Sequence, residues 1–157
     1  MRAALIGTIW LALAGFVAGE HGKTRRAPWA LGVWTAGAVL CAVHIAIAFV
    51  AVHGGSRAAM VAATARQTAS VYGLDWGGGA YVNFVFLACW LAEAAWWSAA
   101  PAAYGRRPRW MAWLVGAFYF VVILNGAVIF ARGPARLAGL ALVGAWLPAL
   151  VHRSERV

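Results

Sequence analysis

The chain has 157 residues, 64% of them hydrophobic and 11% charged, with a mean hydropathy of +0.77. A water-soluble domain is near half apolar and a quarter charged, so thirteen basic and four acidic side chains argue against a soluble globule of this length, and with it a soluble enzyme. The composition fits a multi-spanning membrane protein. The net charge of +9 sits in short clusters between apolar runs, the pattern of topology signals rather than of a nucleic-acid groove.

Five apolar segments follow one another, at residues 3–19, 29–52, 80–100, 110–131 and 137–151. A helix needs about 20 residues to cross a hydrocarbon core ~30 Å thick, and the first four meet or approach that. The fifth reaches only ~22 Å at 1.5 Å per residue and contains Pro148, so it is expected to be short. The predicted fold is therefore all-α: one integral membrane domain over residues 1–157, a bundle of five transmembrane helices. Val17, Ala18 and Gly19 offer small residues of the kind found at signal-peptide cleavage sites. Cleavage would strand Lys23, Arg25 and Arg26 outside, so an uncleaved first helix is expected.

The basic residues set the expected orientation. With the N-terminus outside, one side holds Lys23, Arg25, Arg26, Arg106, Arg107, Arg109, Arg153 and Arg156, and the other holds Arg2, Arg57, Arg66, Arg132 and Arg136. The richer side is cytoplasmic by the positive-inside rule, which predicts an N-out, C-in protein of a bacterial cytoplasmic membrane. Trp29, Trp96, Trp97 and Trp110 fall near the inner ends of spans, as anchoring indoles do.

Most connections are too short for a domain. The exception is the outer loop 53–79, in which 56–72 (SRAAMVAATARQTASVY) reads as an amphipathic interfacial helix. Met60, Val61, Thr64, Ala65, Thr68, Val71 and Tyr72 share one side, and Gly73 is placed to stop the helix. It is expected to lie on the membrane surface or to cap the bundle. Gly77, Gly78 and Gly79 then make a shaped turn without the GK[ST] of a phosphate loop. Arg66, Gln67, Asp75 and Trp76 are the candidate contacts of this loop with a partner.

Polar groups inside the spans carry the functional information, because unpaired they cost a few kcal/mol in hydrocarbon. Four stand out: His44, Asn83, Glu93 and Asn125. Counted from the outer ends, His44 lies ~12 Å deep, Asn125 ~9 Å and Asn83 ~5 Å, so these three are expected to converge in the outer half. Glu93 lies toward the inner side, on a helix face shared with Phe86, Cys89, Trp90 and Trp97. It would need a partner such as Arg106 and is the candidate proton-handling group.

No cofactor is expected. A haem or metal ion at His44 is the disfavoured alternative: His53, nine residues on, falls ~180° away on an α-helix, and His21 and His152 belong to the other side. Cys41 and Cys89 lack CxxC partners and read as small buried hydrophobes. Neither the CxxC pairs of thiol-oxidising membrane families nor the facing histidines of cytochrome b-type anchors are present, and no catalytic or metal motif is assembled. Small residues such as Gly32, Ala36, Gly37, Gly116 and Ala117 suit close helix packing. The sequence therefore points first to a non-enzymatic accessory subunit that packs against other membrane proteins or itself. The alternative is a membrane protein binding a small molecule or redox cofactor in the outer half of the bundle. The bilayer is the partner common to both, and nucleic acid is expected in neither.

Overall fold

The computed structural model describes residues 2–155, with side chains for 5–151, so Arg2, Arg153 and Arg156 of the charge count, and His152, lie outside the described side chains. Among the described residues every regular element is helical and none is a strand. The helices are α1 (Arg2–Arg25), α2 (Ala30–Ile47), α3 (Arg57–Tyr72), α4 (Gly79–Ala99), the short α5 (Pro101–Gly105), α6 (Arg109–Leu124) and α7 (Pro134–Glu155). Two of them continue into a π-helical turn, α2 through Ala48–Val52 and α6 through Asn125–Ile129. Five stretches are long and apolar enough to cross a membrane: Leu5–Arg25, Ala30–Val52, Gly79–Ala99, Arg109–Ile129 and Pro134–Val151. The all-α bundle expected from composition is the fold.

The five long helices close into a ring. α1 packs on α2 and α7, α2 on α4, α4 on α6, and the π turn of α6 on α7. Each contributes one fully buried aromatic to the centre: Phe16, Trp34, Trp90, Tyr119 and Trp146. The Phe16 ring is the hub, with centroids 4.8 Å from Trp34, 5.0 Å from Trp90, 5.4 Å from Tyr119 and 4.9 Å from Trp146. Three of these contacts are edge-to-face, the arrangement ring quadrupoles favour. Lipid tails are as apolar as leucine, so burial alone gives little drive for helices to associate in a bilayer, and packing contacts of this kind must supply it. The same reasoning accounts for large side chains on the outer surface, such as Leu137 at 69% and Trp110 at 68% exposure.

Two span boundaries differ from the sequence reading. α1 continues past Gly19 to Arg25, because Glu20 and Lys23 are buried inside the bundle rather than facing water. α7 is 22 residues long, not fifteen, and at ~1.5 Å per residue covers a ~30 Å core. Its first turn opens with Pro134, preformed for a helix N-terminus. In that turn Arg136 donates Nε to the carbonyls of Val128 and Ala131, both at 3.0 Å, and Nη2 to Ile129 at 3.3 Å. It thereby caps the carbonyls left over where the α6 π turn ends, a role hidden when it is counted as a loop charge. Pro148 stays within the helix, and one turn earlier His21 Nε2 donates to the Ala145 carbonyl at 2.7 Å.

The predicted loop helix is α3. Ser56 caps its N-terminus by accepting from the Ala59 amide at 3.2 Å, and Gly73 ends it in the left-handed conformation at φ 71°. It packs on α4 with Met60 and Thr68 buried and so caps one end of the bundle. The glycine turn permits this closeness: a Cβ on Gly77 would come within 2.6 Å of the Val61 carbonyl oxygen. The end covered by α3 is called the capped end below, and the end carrying Arg25, Arg26, Arg106 and Arg107 the basic end.

Candidate functional site

A cavity of about 500 Å³ lies between α3 and the aromatic core. The two π turns form opposing parts of its wall, through Ala48 and Phe49 on one side and Gly126 and Ala127 on the other. A π turn inserts an extra residue, breaks the helical phase and widens the backbone, and such turns concentrate at functional sites. Here two of them face one volume.

His44 and Asn83 both line this cavity. His44 Nδ1 donates to the Leu5 carbonyl at 2.9 Å, beside Thr8, whose hydroxyl donates to the same carbonyl at 3.0 Å. A carbonyl only accepts, so Nδ1 carries the hydrogen and Nε2 is the nitrogen left for another group. Asn83 and Gln67 line the cavity without a hydrogen bond from their side chains to any described residue. No Asp, Glu, Lys or Arg is in the wall; the rest of it is aliphatic, aromatic or weakly polar.

His53 also lines the cavity, which corrects the expectation that it points away from His44. The ~180° separation assumed a continuous α-helix. The π turn Ala48–Val52 intervenes, and His53 sits beyond its end at φ −105° and ψ 4°. Even so, among the described residues no three His, Cys, Asp or Glu side chains come together as a metal-binding set.

Asn125 is at the right level but its side chain is occupied. Its Oδ1 accepts from the Tyr72 hydroxyl and its Nδ2 donates to the Val121 carbonyl at 2.8 Å. Tyr72 packs edge-on against Phe130, with centroids 5.8 Å apart. Asn125 and Tyr72 thus clasp the end of α3 to α6. Arg66, Asp75 and Trp76 are exposed, Arg66 on α3 and the other two in the turn after it, and the Trp76 ring lies across Gly78. Of the four loop candidates only Gln67 belongs to the cavity.

Glu93 is in a different place altogether. At the basic end it accepts from the Tyr104 hydroxyl at 3.0 Å and pairs with Arg107 at 3.8 Å, while Arg106, the partner considered from sequence, is exposed. Arg107 Nη1 also donates to the Tyr104 carbonyl at 2.9 Å, and its guanidinium lies 3.8 Å from the Tyr104 ring centre. A second ion pair adjoins, Glu20 with Lys23 at 2.9 Å. The Lys23 ammonium sits 3.0 Å from the Trp34 ring centre and within 6 Å of the Trp97 and Tyr104 rings. Two carboxylates and two cations are thus held together by an aromatic box, with their charges balanced.

Glu20, Lys23, Tyr104 and Arg107 were not singled out in the sequence. The available signal was that the chain has only four acidic residues and that two of them fall at matching depth near the basic ends of α1 and α4. Trp96 and Trp97 pack against Tyr104 in this cluster, whereas Trp29 and Trp110 are exposed as membrane-belt residues are.

Comparison with protein-family models, with curated proteins and with solved structures finds no match to this chain. The functional reading therefore stands on the geometry alone. That geometry is one of a polytopic membrane protein with an uncharged cavity at one end and a closed ion cluster at the other.

Proposed function

We propose that the protein binds a small uncharged molecule within the membrane, in the cavity beneath α3. The observation that carries this is the coincidence of two π turns, a volume of about 500 Å³ and polar groups on its wall: His44, held through Nδ1 with Nε2 left over, and the amides of Asn83 and Gln67, which no described residue satisfies. Ligand pockets combine a mostly apolar lining with a few placed polar groups and have volumes of ~300–1,000 Å³. The wall offers no Asp, Glu, Lys or Arg as counter-charge, so an uncharged ligand fits it better than an ionic one. A neutral His44 ring with hydrogen on Nδ1 presents Nε2 as an acceptor, so the ligand carries a hydroxyl or similar donor on an apolar ring or chain. Asn83 and Gln67 can each both donate to and accept from it.

The test is native mass spectrometry of the protein taken gently from its own membrane. The expected result is added mass of one small neutral molecule, lost in His44→Ala and in Ala63→Trp, which fills the cavity from α3. A bare protein from all extractions would overturn the reading.

The accessory-subunit reading stands second. Gly15, Gly19, Gly22, Gly37 and Gly139 use their small size for contacts inside the chain, whereas Gly32 on α2 and Gly144 on α7 are exposed with nothing within 4 Å of an added Cβ. Those two faces support docking of another helix. Additional polypeptide at fixed stoichiometry in the same spectra is the outcome that favours it.

A further inference from the structure

A second concavity, of about 510 Å³, opens on the outer surface at the basic end, between α6 and α7. It has two unlike parts. Its apolar part is walled by Gly116, Phe120, Leu147 and Leu150, and its polar end by Arg107 and Arg109, with no acidic residue in the lining. Along α6 it extends from Arg109 to Val121, twelve residue steps or ~18 Å. One leaflet contributes about half of a ~30 Å hydrocarbon core, so the groove has the length of a single acyl chain. Gly116 supplies its depth: with no side chain at this buried position the groove extends to the helix backbone.

We propose that this groove holds one anionic phospholipid, with an acyl chain along α6 and the headgroup phosphate at Arg107 and Arg109. Three observations choose this occupant over a helix of another protein. The polar end is cationic and lies at the membrane boundary, beside the exposed belt residues Trp110 and Trp113. Arg107 Nε is buried and has no hydrogen-bond partner among the described residues, although the rest of its guanidinium is engaged by Glu93 and Tyr104. α6 also begins here, at Arg109, with no side-chain cap and no acidic residue in its first turn, so the positive end of its dipole lies at the polar end of the groove. Basic pockets between transmembrane helices recognise acidic headgroups by this combination of charge and hydrocarbon fit. The site lies at the opposite end from the capped cavity, and its success or failure is independent of the function proposed above.

The experiment uses the full chain in detergent, mixed with equal amounts of phosphatidylglycerol and phosphatidylcholine of identical acyl chains and read by native mass spectrometry. One phosphatidylglycerol per protein is expected to bind in clear preference to phosphatidylcholine. The preference should fall about fivefold in Arg109→Gln, the contribution of one arginine near a membrane surface, and stay unchanged in Arg132→Gln, which removes a cation outside the groove. Leu147→Trp, which fills the groove from its exposed wall, should reduce binding of the lipid without altering the charge, and provides the answer should Arg109→Gln not fold. Equal binding of both lipids would overturn the proposal. So would a preference untouched by either groove variant, or inorganic phosphate displacing phosphatidylglycerol at equal concentration, which would mean an anion site without a lipid.

Discussion

At the basic end, Glu20, Lys23, Glu93 and Arg107 meet around Tyr104 in two ion pairs, with rings of Trp34, Trp97 and Tyr104 on the cations. At the capped end, His44, His53, Asn83 and Gln67 stand around an open volume, and only His44 is tied to another helix. Both ends place polar groups among apolar helices. The difference is complementarity: carboxylates and cations pair in charge and close the space between helices, with Arg107 Nε the donor left over. Amides and imidazoles spaced around a widened backbone do not. The first arrangement holds a structure together, and the second is prepared for something that arrives from outside. Intramembrane polarity is a guide to function only after its partners are counted.

The comparison breaks first at Lys23. Its side chain is 8% exposed and that of its partner Glu20 1%. Lys23→Ala removes an ion pair and a cation–π contact together and leaves buried carboxylate charge under-compensated, which costs about 3–5 kcal/mol. His44→Ala at the other end loses one hydrogen bond, worth about 0.5–1.5 kcal/mol. Denaturant unfolding in detergent micelles should therefore separate the two variants clearly, with Lys23→Ala far the less stable. Equal losses would mean that the cluster is not the structural closure described here.

Most of the fold could be read from the sequence, and the limits of that reading have physical causes. Apolar runs find spans because membrane helices must be long and uncharged. That rule truncated α1 at Glu20 and α7 at Leu137, where buried or capping charges are part of the helix. Depth arithmetic placed His44 and Asn83 in the same half of the bundle because rise per residue is constant. Facing directions were less secure, since a single π turn carried His53 into the cavity. Hydrogen-bond occupancy was not legible at all. Nothing in the sequence says that Tyr72, 53 residues away, takes up Asn125, or that Arg107 and not Arg106 turns inward to Glu93.

A smaller effect is expected where α7 forms the outer wall behind the cavity. A Cβ on Gly139 would collide with the Ala127 carbonyl of the α6 π turn. Gly139→Ala must push the two backbones apart, at a cost of about 1–3 kcal/mol for overpacking. Because Ala127 also lines the cavity, the same substitution should weaken ligand retention, whereas Lys23→Ala, assayed under conditions where it is folded, should not. Retention measured on both variants sharpens the division between the ends. If Gly139→Ala costs stability but leaves retention intact, the π turn is not a wall of the site.

The smallest effect concerns the clasp on α3. Tyr72→Phe keeps the ring on Phe130 and removes only the hydroxyl given to Asn125. The hydrogen bond is exposed, so its loss costs at most about 0.5–1.5 kcal/mol, and global unfolding, which is governed by the aromatic core, should scarcely move. The local consequence is larger than the global one. α3 is a 16-residue helix that packs chiefly on α4, with two buried side chains, and segments with few buried contacts open independently of the whole. Amide hydrogen exchange across Arg57–Tyr72 should accelerate about tenfold if the full ~1.4 kcal/mol falls on local opening, with α1 and α2 unchanged. A bound molecule should leave faster by a similar factor, because Met60, Ala63, Thr64 and Gln67 of α3 form part of the cavity wall. Unchanged exchange in α3 would show that Met60 and Thr68 alone hold the cap, and that Asn125 is a structural amide with no part in controlling access.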